Sequence, residues 1–279
     1  MKAPGWNVDI RGAAMFLQYL LSLLLGKPFP PPPEQPAKPR LVLLTNNSLD
    51  AKCLDGSPPG YYFRAGTGVG KRMWHINLPG GGWCSSVAEC VARSKMLYGS
   101  STFYPEVPTR IPPFPRFAGF LCSNRSSNPP FHNWNLVRLI YCDGGGYLGT
   151  AGRLEVRRGT VLYMDGWKIV QSVIEDLKSK GEIQSATHIL LSGTSAGGQA
   201  SLSLCDRIAA TFLWAATKCL CDSGNFIDSK DRMGGNTWRD KITNMVALHK
   251  PTWPACQDAL PETEHWKCFF PQYTLQLGL

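Results

Sequence analysis

Residues 188–200 read HILLSGTSAGGQA, an apolar run that leads into a serine with a glycine two residues away on each side. Residues compatible with a helix follow Ser195. A serine on a sharp strand-to-helix turn needs small neighbours, because the backbone nearly crosses itself there and a substrate carbonyl must come close. The pattern predicts a nucleophile elbow with Ser195 as the nucleophile. A Gly/Ser turn that only joins a buried strand to a helix is the alternative.

A second glycine-rich segment, Pro79-Gly80-Gly81-Gly82-Trp83-Cys84, directly follows a predicted strand at 74–78. Consecutive glycines are unfavourable in chain entropy, so something should require bare backbone at this point. In serine hydrolases with an elbow, the loop in this place directs backbone N–H groups at the oxyanion. The segment therefore predicts an oxyanion-hole loop, with a flexible turn as the alternative. Cys84 and Cys90 are near enough to close a small loop that would stiffen this region.

Two further strands are predicted from apolar patterning. Tyr61-Tyr62-Phe63 and the strand at 74–78 flank a glycine-rich reversal at 66–70, which predicts a hairpin. The stretch 133–142 is a third strand, and it too ends in a glycine cluster, at 144–146, beside a carboxylate. Strand ends that meet glycine-rich loops are where open parallel sheets bind their ligands.

Two helices complete the pattern. Residues 166–179 carry Trp167, Val170, Ile174 and Leu177 on one stripe, which predicts an amphipathic helix. After the elbow, a second apolar stripe recurs every four residues from Ala200 to Phe212. The order strand, helix, strand, elbow, helix predicts an α/β sheet.

The cysteine usage indicates an oxidising compartment. The ten cysteines lie between Cys53 and Cys268 with no repeated C-x-x-C pairing, which favours disulfides over zinc and hence secretion. The sequons at Asn46 and Asn124 point the same way and are candidate glycosylation sites. Gly70-Lys71 lacks the remaining residues of a phosphate-binding loop. We predict no metal and no cofactor.

The chain divides into three parts. Residues 1–26 combine Lys2 and Arg11 with a short apolar core, which favours a signal peptide over a signal anchor. Membrane attachment is expected only if that segment is an uncleaved anchor. Residues 27–40 are Pro-rich and predict a stiff linker. Residues 41–279 form the globular domain.

The net charge of +9 suits a polyanionic partner. The charge is scattered, and no basic-aromatic motif of a nucleic-acid-binding protein is present. Nucleic acid is therefore excluded as a partner. For a secreted protein the charge favours an acidic polysaccharide or a cell-surface setting, and a basic surface without function is the alternative.

Seven segments occur in this order: LDGSPP (54–59), PGGGWC (79–84), NWN (133–135), YCDG (141–144), GTSAGG (193–198), DSG (222–224) and CFFPQ (268–272). They resemble, in the same order, the landmarks of plant pectin acetylesterases, which are carbohydrate-esterase relatives of the Wnt-deacylating esterase Notum. The resemblance runs from about Leu49 to Gln272. The resemblance implies an α/β-hydrolase-like fold that removes acetyl groups from galacturonate residues of cell-wall pectin. Acetylated pectin is polyanionic, which accounts for the positive charge. The implied location is extracellular, in the cell wall.

Site roles follow from the same resemblance. It implies Ser195 as the nucleophile, and the backbone of Gly81, Gly82 and Ala196 as the oxyanion hole. Members of the family continue after the CFFPQ motif into a strand that carries the triad Asp and then a loop that carries the His. The resemblance therefore implies a domain without those C-terminal strands, and a site without its triad Asp and His.

The residues near the end of the chain support that expectation. The triad order in elbow enzymes is Ser, acid, His, and only His249 and His265 follow Ser195. We expect His249 to end a helix and both histidines to be surface or capping residues. Asp222 and Asp228 have positions that could bring them near the site, but each would need a histidine to orient. The strand before Ser195 is expected at or near the sheet edge.

These expectations lead to three hypotheses of function. The first is an extracellular pectin acetylesterase. We expect low activity from this chain because a serine without a base is a weak nucleophile, and poor solubility because a sheet edge and apolar faces would be left uncovered. The second is a non-catalytic wall protein that binds pectin. The third is a Notum-like lipid carboxylesterase with a deep apolar pocket.

Overall fold

The computed structural model describes residues 36–108, 117–156 and 159–278. The predicted signal segment, residues 1–26, and the first part of the predicted linker lie outside the described residues. The strands are β1 (Arg40–Leu43), β2 (Gly60–Arg64), β3 (Met73–Leu78), β4 (Asn135–Leu139), β5 (Gly152–Glu155), β6 (Val161–Met164), β7 (His188–Thr194) and β8 (Ala216–Asp222).

The α-helices are α1 (Val87–Arg93), α2 (Gly166–Ser179), α3 (Ala196–Ser203), α4 (Cys205–Thr211), α5 (Thr237–His249), α6 (Pro254–Asp258) and α7 (Pro271–Gln276). Short 3-10 helices cover Gly68–Arg72, Ser101–Phe103, Gly119–Leu121, Glu182–Ser185 and Glu262–Phe269. None of the helices in the described ranges is long and apolar enough to cross a membrane.

Six strands form one mixed sheet in the order β1-β2-β4-β3-β7-β8. The β1–β2 and β2–β4 pairs are antiparallel, whereas β4–β3, β3–β7 and β7–β8 are parallel. Leu78 at the end of β3 pairs with Gly193 near the end of β7. Because parallel strands end at the same edge of a sheet, this register brings the PGGGWC segment beside the elbow. The predicted α/β fold class is confirmed.

The predicted hairpin of residues 61–63 with residues 74–78 is wrong. Strand β4 lies between β2 and β3, and it pairs with both. The reason is that β3 buries both of its faces: Trp74 and Ile76 on one, and His75 and Asn77 on the other. A strand buried on both faces is typical of the centre of a parallel sheet, where it needs a neighbour on each side.

The helices pack where the apolar stripes predict. Helix α2 has the predicted bounds, and its Val170, Ile174 and Leu177 are buried in the main core. The stripe from Ala200 to Phe212 is also buried, but it spans two helices, because α3 ends at Ser203 and α4 begins at Cys205. These helices cover the sheet beside the elbow.

Strand β7 lies next to the edge of the sheet, as expected, and β8 forms that edge among the described strands. Its burial alternates along the strand, and Leu220 is 41% exposed. The predicted Cys84–Cys90 disulfide is present, together with Cys53–Cys142, Cys205–Cys219 and Cys256–Cys268. Cys122 and Cys221 are free thiols.

Candidate active site

The backbone at Ser195 has the strained conformation of a nucleophile elbow. Its φ is 55° and its ψ is −122°, a combination that residues other than glycine rarely adopt. The Ser195 N–H donates to the Asp222 carbonyl oxygen at 2.9 Å, which ties the turn to the end of β8. Ser195 is half-buried, and no described residue hydrogen-bonds to its hydroxyl. The side chain is thus held in place with its oxygen unengaged.

Two positions of the turn, Gly193 and Gly197, have no room for a side chain where the backbone crosses itself. A Cβ on Gly193 would overlap the carbonyl oxygen of Gly197, and a Cβ on Gly197 would overlap that of Leu78. Both clashes are with backbone, so no rotamer change can relieve them. The G-x-S-x-G spacing is therefore a steric requirement of this turn.

The PGGGWC segment lies directly against the elbow. A Cβ on Gly80 would sit 2.8 Å from the Ser195 Cβ, so only glycine fits there. Gly82 has φ +66°, and an added Cβ would meet nothing within 4 Å. Ala196 is the first residue of α3, so its backbone N–H has no acceptor within the helix. The three predicted oxyanion-hole residues, Gly81, Gly82 and Ala196, thus belong to one segment and one helix start that meet at Ser195.

The far end of that segment is anchored by packing. The Cys84–Cys90 disulfide links it to α1, and the Cys84 N–H donates to the Gly144 carbonyl oxygen at 3.0 Å. Trp83 is buried with its ring edge-on to Phe226, Trp238 and Phe269, at centroid distances of 5.1 to 5.8 Å.

The second glycine cluster, residues 144–146, packs against the PGGGWC segment. Added Cβ atoms on Gly144, Gly145 and Gly146 would lie 2.5–2.8 Å from Cys84, His249 and Trp83 respectively. These glycines thus allow close packing against the anchored end of the PGGGWC segment. Sequence reasoning marked 144–146 as a possible ligand site, but their nearest neighbours are side chains of the core.

The five histidines of the chain all make ring hydrogen bonds away from Ser195. The pairs are His75 Nε2 with Ser192 Oγ (2.6 Å), His132 Nδ1 with Pro129 O (3.0 Å), His188 Nδ1 with Thr187 Oγ1 (3.0 Å), His249 Nε2 with Cys84 O (3.0 Å) and His265 Nε2 with Leu260 O (3.2 Å). No histidine is therefore placed as a base for Ser195.

His249 corrects one prediction. It is the last residue of α5, as expected, but it is fully buried instead of lying on the surface. Burial lowers the pKa of His249 to about 4, so the ring is neutral. It packs against the Cys84–Cys90 disulfide, with Nε2 at 3.6 and 3.7 Å from the two sulfurs.

The same cluster is the one group of described residues with the spacing of a metal site. Soft metals bind thiolates, but the sulfurs of Cys84 and Cys90 are bonded to each other here. The cluster is accordingly a packing contact that anchors the segment.

The two candidate acids differ. Asp222 flanks the elbow: its Oδ2 accepts from the Thr194 hydroxyl at 3.3 Å, and its Oδ1 accepts from the Ser223 hydroxyl at 3.0 Å. Asp228 is engaged by Arg239 at 2.7 Å and by the Tyr273 hydroxyl at 2.5 Å. Asp228 therefore ties its loop to α5 and α7, whereas Asp222 is part of the turn.

Asp143 follows β4 and is a third, fully buried carboxylate near the segment. Its Oδ2 accepts from the N–H groups of Gly145 and Tyr147 at 2.9 and 3.0 Å, while Oδ1 has no partner among the described residues. Burial raises the pKa of Asp143 to about 6. It shapes the loop at 144–146 on which Cys84 and Trp83 rest.

The candidate glycosylation sites, Asn46 and Asn124, are both exposed. The Asn124 side-chain oxygen accepts from the N–H groups of Ser126 and Ser127 in a local turn. Glycosylation of either residue stays a prediction.

A strained serine elbow beside a glycine-rich strand end, on a mixed sheet with flanking helices, is the arrangement of α/β-hydrolase-like carboxylic ester hydrolases. A family model described as Pectinacetylesterase matches residues 33–277, and the chain belongs to the pectin acetylesterase family.

Individual relatives agree with that family. The chain is 39% identical over 227 residues to pectin acetylesterase 5 of Arabidopsis thaliana, covering 81% of this chain and 51% of the relative. It is 36% identical over 240 residues to pectin acetylesterase 7 of the same plant, covering 86% and 59%. It is 31% identical over 246 residues to the mouse palmitoleoyl-protein carboxylesterase NOTUM, covering 83% of this chain and 46% of the relative. The chain thus spans about half the length of these curated relatives.

Proposed function

We propose that this chain carries the nucleophile and the oxyanion-stabilising backbone of a secreted serine esterase that removes acetyl groups from galacturonate residues of pectin. The observation that carries the proposal is the free hydroxyl of Ser195, held at φ 55° against the glycine segment at the end of β3. Such strain persists in folded proteins mainly where function requires it.

The geometry supports acyl transfer. Ser195 Oγ would attack the acetyl carbonyl carbon and form a tetrahedral intermediate. The backbone N–H groups of Gly81, Gly82 and Ala196 would stabilise its oxyanion. The intermediate would break its bond to the sugar oxygen, which takes a proton from solvent or from an added base, and would leave an acetyl-serine that water then hydrolyses to acetate.

Removal of the Ser195 hydroxyl proton is the step that limits the rate. None of the five histidines is directed at Ser195, so in this chain alone the proton passes to solvent or to an added base. Loss of the histidine from such a site reduces the rate by several orders of magnitude. We therefore expect slow turnover.

Pectin as the substrate rests on charge and on kinship. The chain carries a net charge of +9, which favours an acidic polysaccharide. Both of the Arabidopsis relatives reported above are named pectin acetylesterases. Secretion to the cell wall, with a signal segment at 1–26, a linker to residue 40 and a domain from residue 41, belongs to the same proposal.

A pectin-binding protein without turnover is the second candidate. The missing hydrogen bond between Ser195 and any histidine favours it, because binding to the polysaccharide needs no base. Acetate release separates the two candidates, and comparison of acetyl with long-acyl esters tests a lipid substrate.

The experiment measures acetate released from acetylated pectin by the purified chain, with and without imidazole as an external base. We expect a slow rate that imidazole increases and that Ser195→Ala abolishes. Ser203→Ala, further along α3, is the matched control and should leave the rate unchanged. Pectin binding with no Ser195-dependent release, even with imidazole, would overturn the esterase proposal in favour of the binding protein.

A further inference from the structure

The direction of a backbone N–H is fixed by whatever holds the carbonyl of the preceding residue. The two groups of a trans peptide point in opposite directions. The Gly82 N–H therefore points away from whatever binds the Gly81 carbonyl. Three consecutive glycines have little conformational preference of their own, so their orientation must be imposed from outside.

Arg93, the last residue of α1, supplies that hold. Its Nη2 donates to the Gly81 carbonyl oxygen at 2.7 Å and lies 3.4 Å from the Gly82 carbonyl oxygen, while its Nε donates to the Tyr98 carbonyl oxygen at 3.0 Å. One planar guanidinium thus bridges two parts of the backbone. The Tyr141 hydroxyl donates to the Gly82 carbonyl as well.

The guanidinium is itself held in place. Its central carbon lies 5.1 Å from the centroid of the Tyr141 ring and 5.6 Å from that of Tyr98. The Cys84–Cys90 disulfide ties α1 to the glycine segment. The Arg93 guanidinium is a rigid donor on a helix that a disulfide holds in place, so it is well suited to fixing the direction of the flexible glycine segment.

The positive charge of Arg93 is not neutralised by an ion pair with any described residue. Among the described residues no carboxylate forms an ion pair with it, whereas Arg239 is paired with Asp228. Asp143 and His249 are its buried electrostatic neighbours, and neither hydrogen-bonds to it. A positive charge beside the glycine segment favours negative charge that develops there.

We propose that Arg93 is the positioning residue that presets the oxyanion hole: it turns the Gly81 and Gly82 carbonyls away from the elbow so that the Gly82 N–H faces the oxyanion. The inference rests on the proposed function for its catalytic consequence. Its structural half, the fixed direction of the Gly82 N–H, stands by itself.

The chain offers a matched control. Arg207 on α4 donates to the Thr252 carbonyl oxygen at 3.0 Å and lies 5.0 Å from the Trp167 ring centroid. It makes the same kinds of contact as Arg93, but it does not contact the glycine segment. Arg207→Met therefore reproduces the loss of packing without loss of the hold on Gly81.

The first test measures the direction of the Gly82 N–H by residual dipolar couplings in glycine-labelled protein. We expect the Gly82 coupling to collapse toward zero in Arg93→Met and to keep its wild-type value in Arg207→Met. An unchanged Gly82 coupling in folded Arg93→Met would overturn the proposal, whatever the activity of the chain.

The second test measures phosphonylation of Ser195 by a fluorophosphonate, separating the maximal rate from the half-saturating concentration. We expect the maximal rate to fall about 10-fold or more in Arg93→Met, with the half-saturating concentration unchanged and Arg93→Lys in between. Equal losses in Arg93→Met and Arg207→Met would overturn the catalytic half. Failure of wild-type Ser195 to react would instead count against the proposed esterase, and the dipolar couplings would still decide the role of Arg93.

Discussion

The two ends of the segment from Pro79 to Cys84 meet different kinds of neighbour. At the Gly80 end the neighbour is Ser195, whose hydroxyl is half-buried and unengaged. At the Cys84 end it is His249, which is fully buried and hydrogen-bonded to the Cys84 carbonyl. A serine and a histidine thus flank one short loop, yet only the serine is available for chemistry. Proximity to the oxyanion loop does not by itself make a histidine a base.

The two ends of the segment also differ in what restricts the space for a side chain. The Gly80 end is limited by backbone crossing backbone, so it tolerates no side chain. The Cys84 end is limited by side-chain packing, with a disulfide, an indole and an imidazole filling the space. Substitutions at the two ends should therefore differ in size and in dependence on pH.

Gly197→Ala should have the largest effect. Its Cβ would overlap the Leu78 carbonyl oxygen and lie 2.7 Å from that of Pro79, so β3 and the elbow would have to separate. We expect a loss of about 4 kcal/mol or more in the free energy of unfolding, or no folded protein. Gly82→Ala is the control, because its Cβ meets open space and only the positive φ costs about 1 kcal/mol. Equal losses in urea unfolding of the two variants would contradict the steric account.

His249→Gln should have the next largest effect, and it should depend on pH. The pKa of the ring falls from 6.5 to about 4 on burial, so the folded state resists protonation. The stability is full above pH 6.5 and is lost as pH falls toward 4, by about 3 kcal/mol. Because Asp143 titrates in the same range, the measurement is the difference in the free energy of unfolding between wild type and His249→Gln, which should shift against the wild type by about 3 kcal/mol between pH 8 and pH 4. His188→Gln, on an exposed ring, should keep the wild-type profile.

Asp143→Asn should change the pH profile in the opposite direction. Burial raises the pKa of Asp143 from 3.8 to about 6, so stability is full below pH 4 and is lost as pH rises through 6. This loss is about 3 kcal/mol, and in the wild type it offsets most of the His249 contribution. The variant should be more stable relative to wild type at pH 7 than at pH 4. Asp258→Asn, an exposed carboxylate, serves as control, and an unchanged difference between the two pH values would count against the buried titration.

The sequence was sufficient for features whose determinants are local. The elbow, α2 and the Cys84–Cys90 disulfide follow from residue spacing over a few turns of chain. The strand order was not predicted, because the pairing of β3 with β4 joins residues about 60 positions apart and leaves no local signal. The strand order is decided by which strands pack on each side of β3 in the folded sheet.

The same limit applies within the site. His249 lies in the run VALHK, which is as suited to an exposed helix end as to a buried one, and only the three-dimensional fold places it against the disulfide. The contact between Arg93 and the Gly81 carbonyl likewise depends on how α1 returns to the glycine segment. Sequence patterns located the chemical groups on the segment but not the side chains that hold it.

Ser195→Gly should have the smallest effect, and its sign is the informative part. Glycine relieves about 1–3 kcal/mol of strain at φ 55°, and its extra freedom in the unfolded chain offsets about 0.5–1 kcal/mol of that gain. We expect a net stabilisation of about 1 kcal/mol in denaturant unfolding. Ser195→Ala keeps a Cβ at the same φ and should leave stability near the wild-type value, although both variants lose the nucleophile. If Ser195→Gly were less stable than Ser195→Ala, the backbone at the Gly80 end would not be strained, and the contrast with the tightly packed Cys84 end would lose its physical basis.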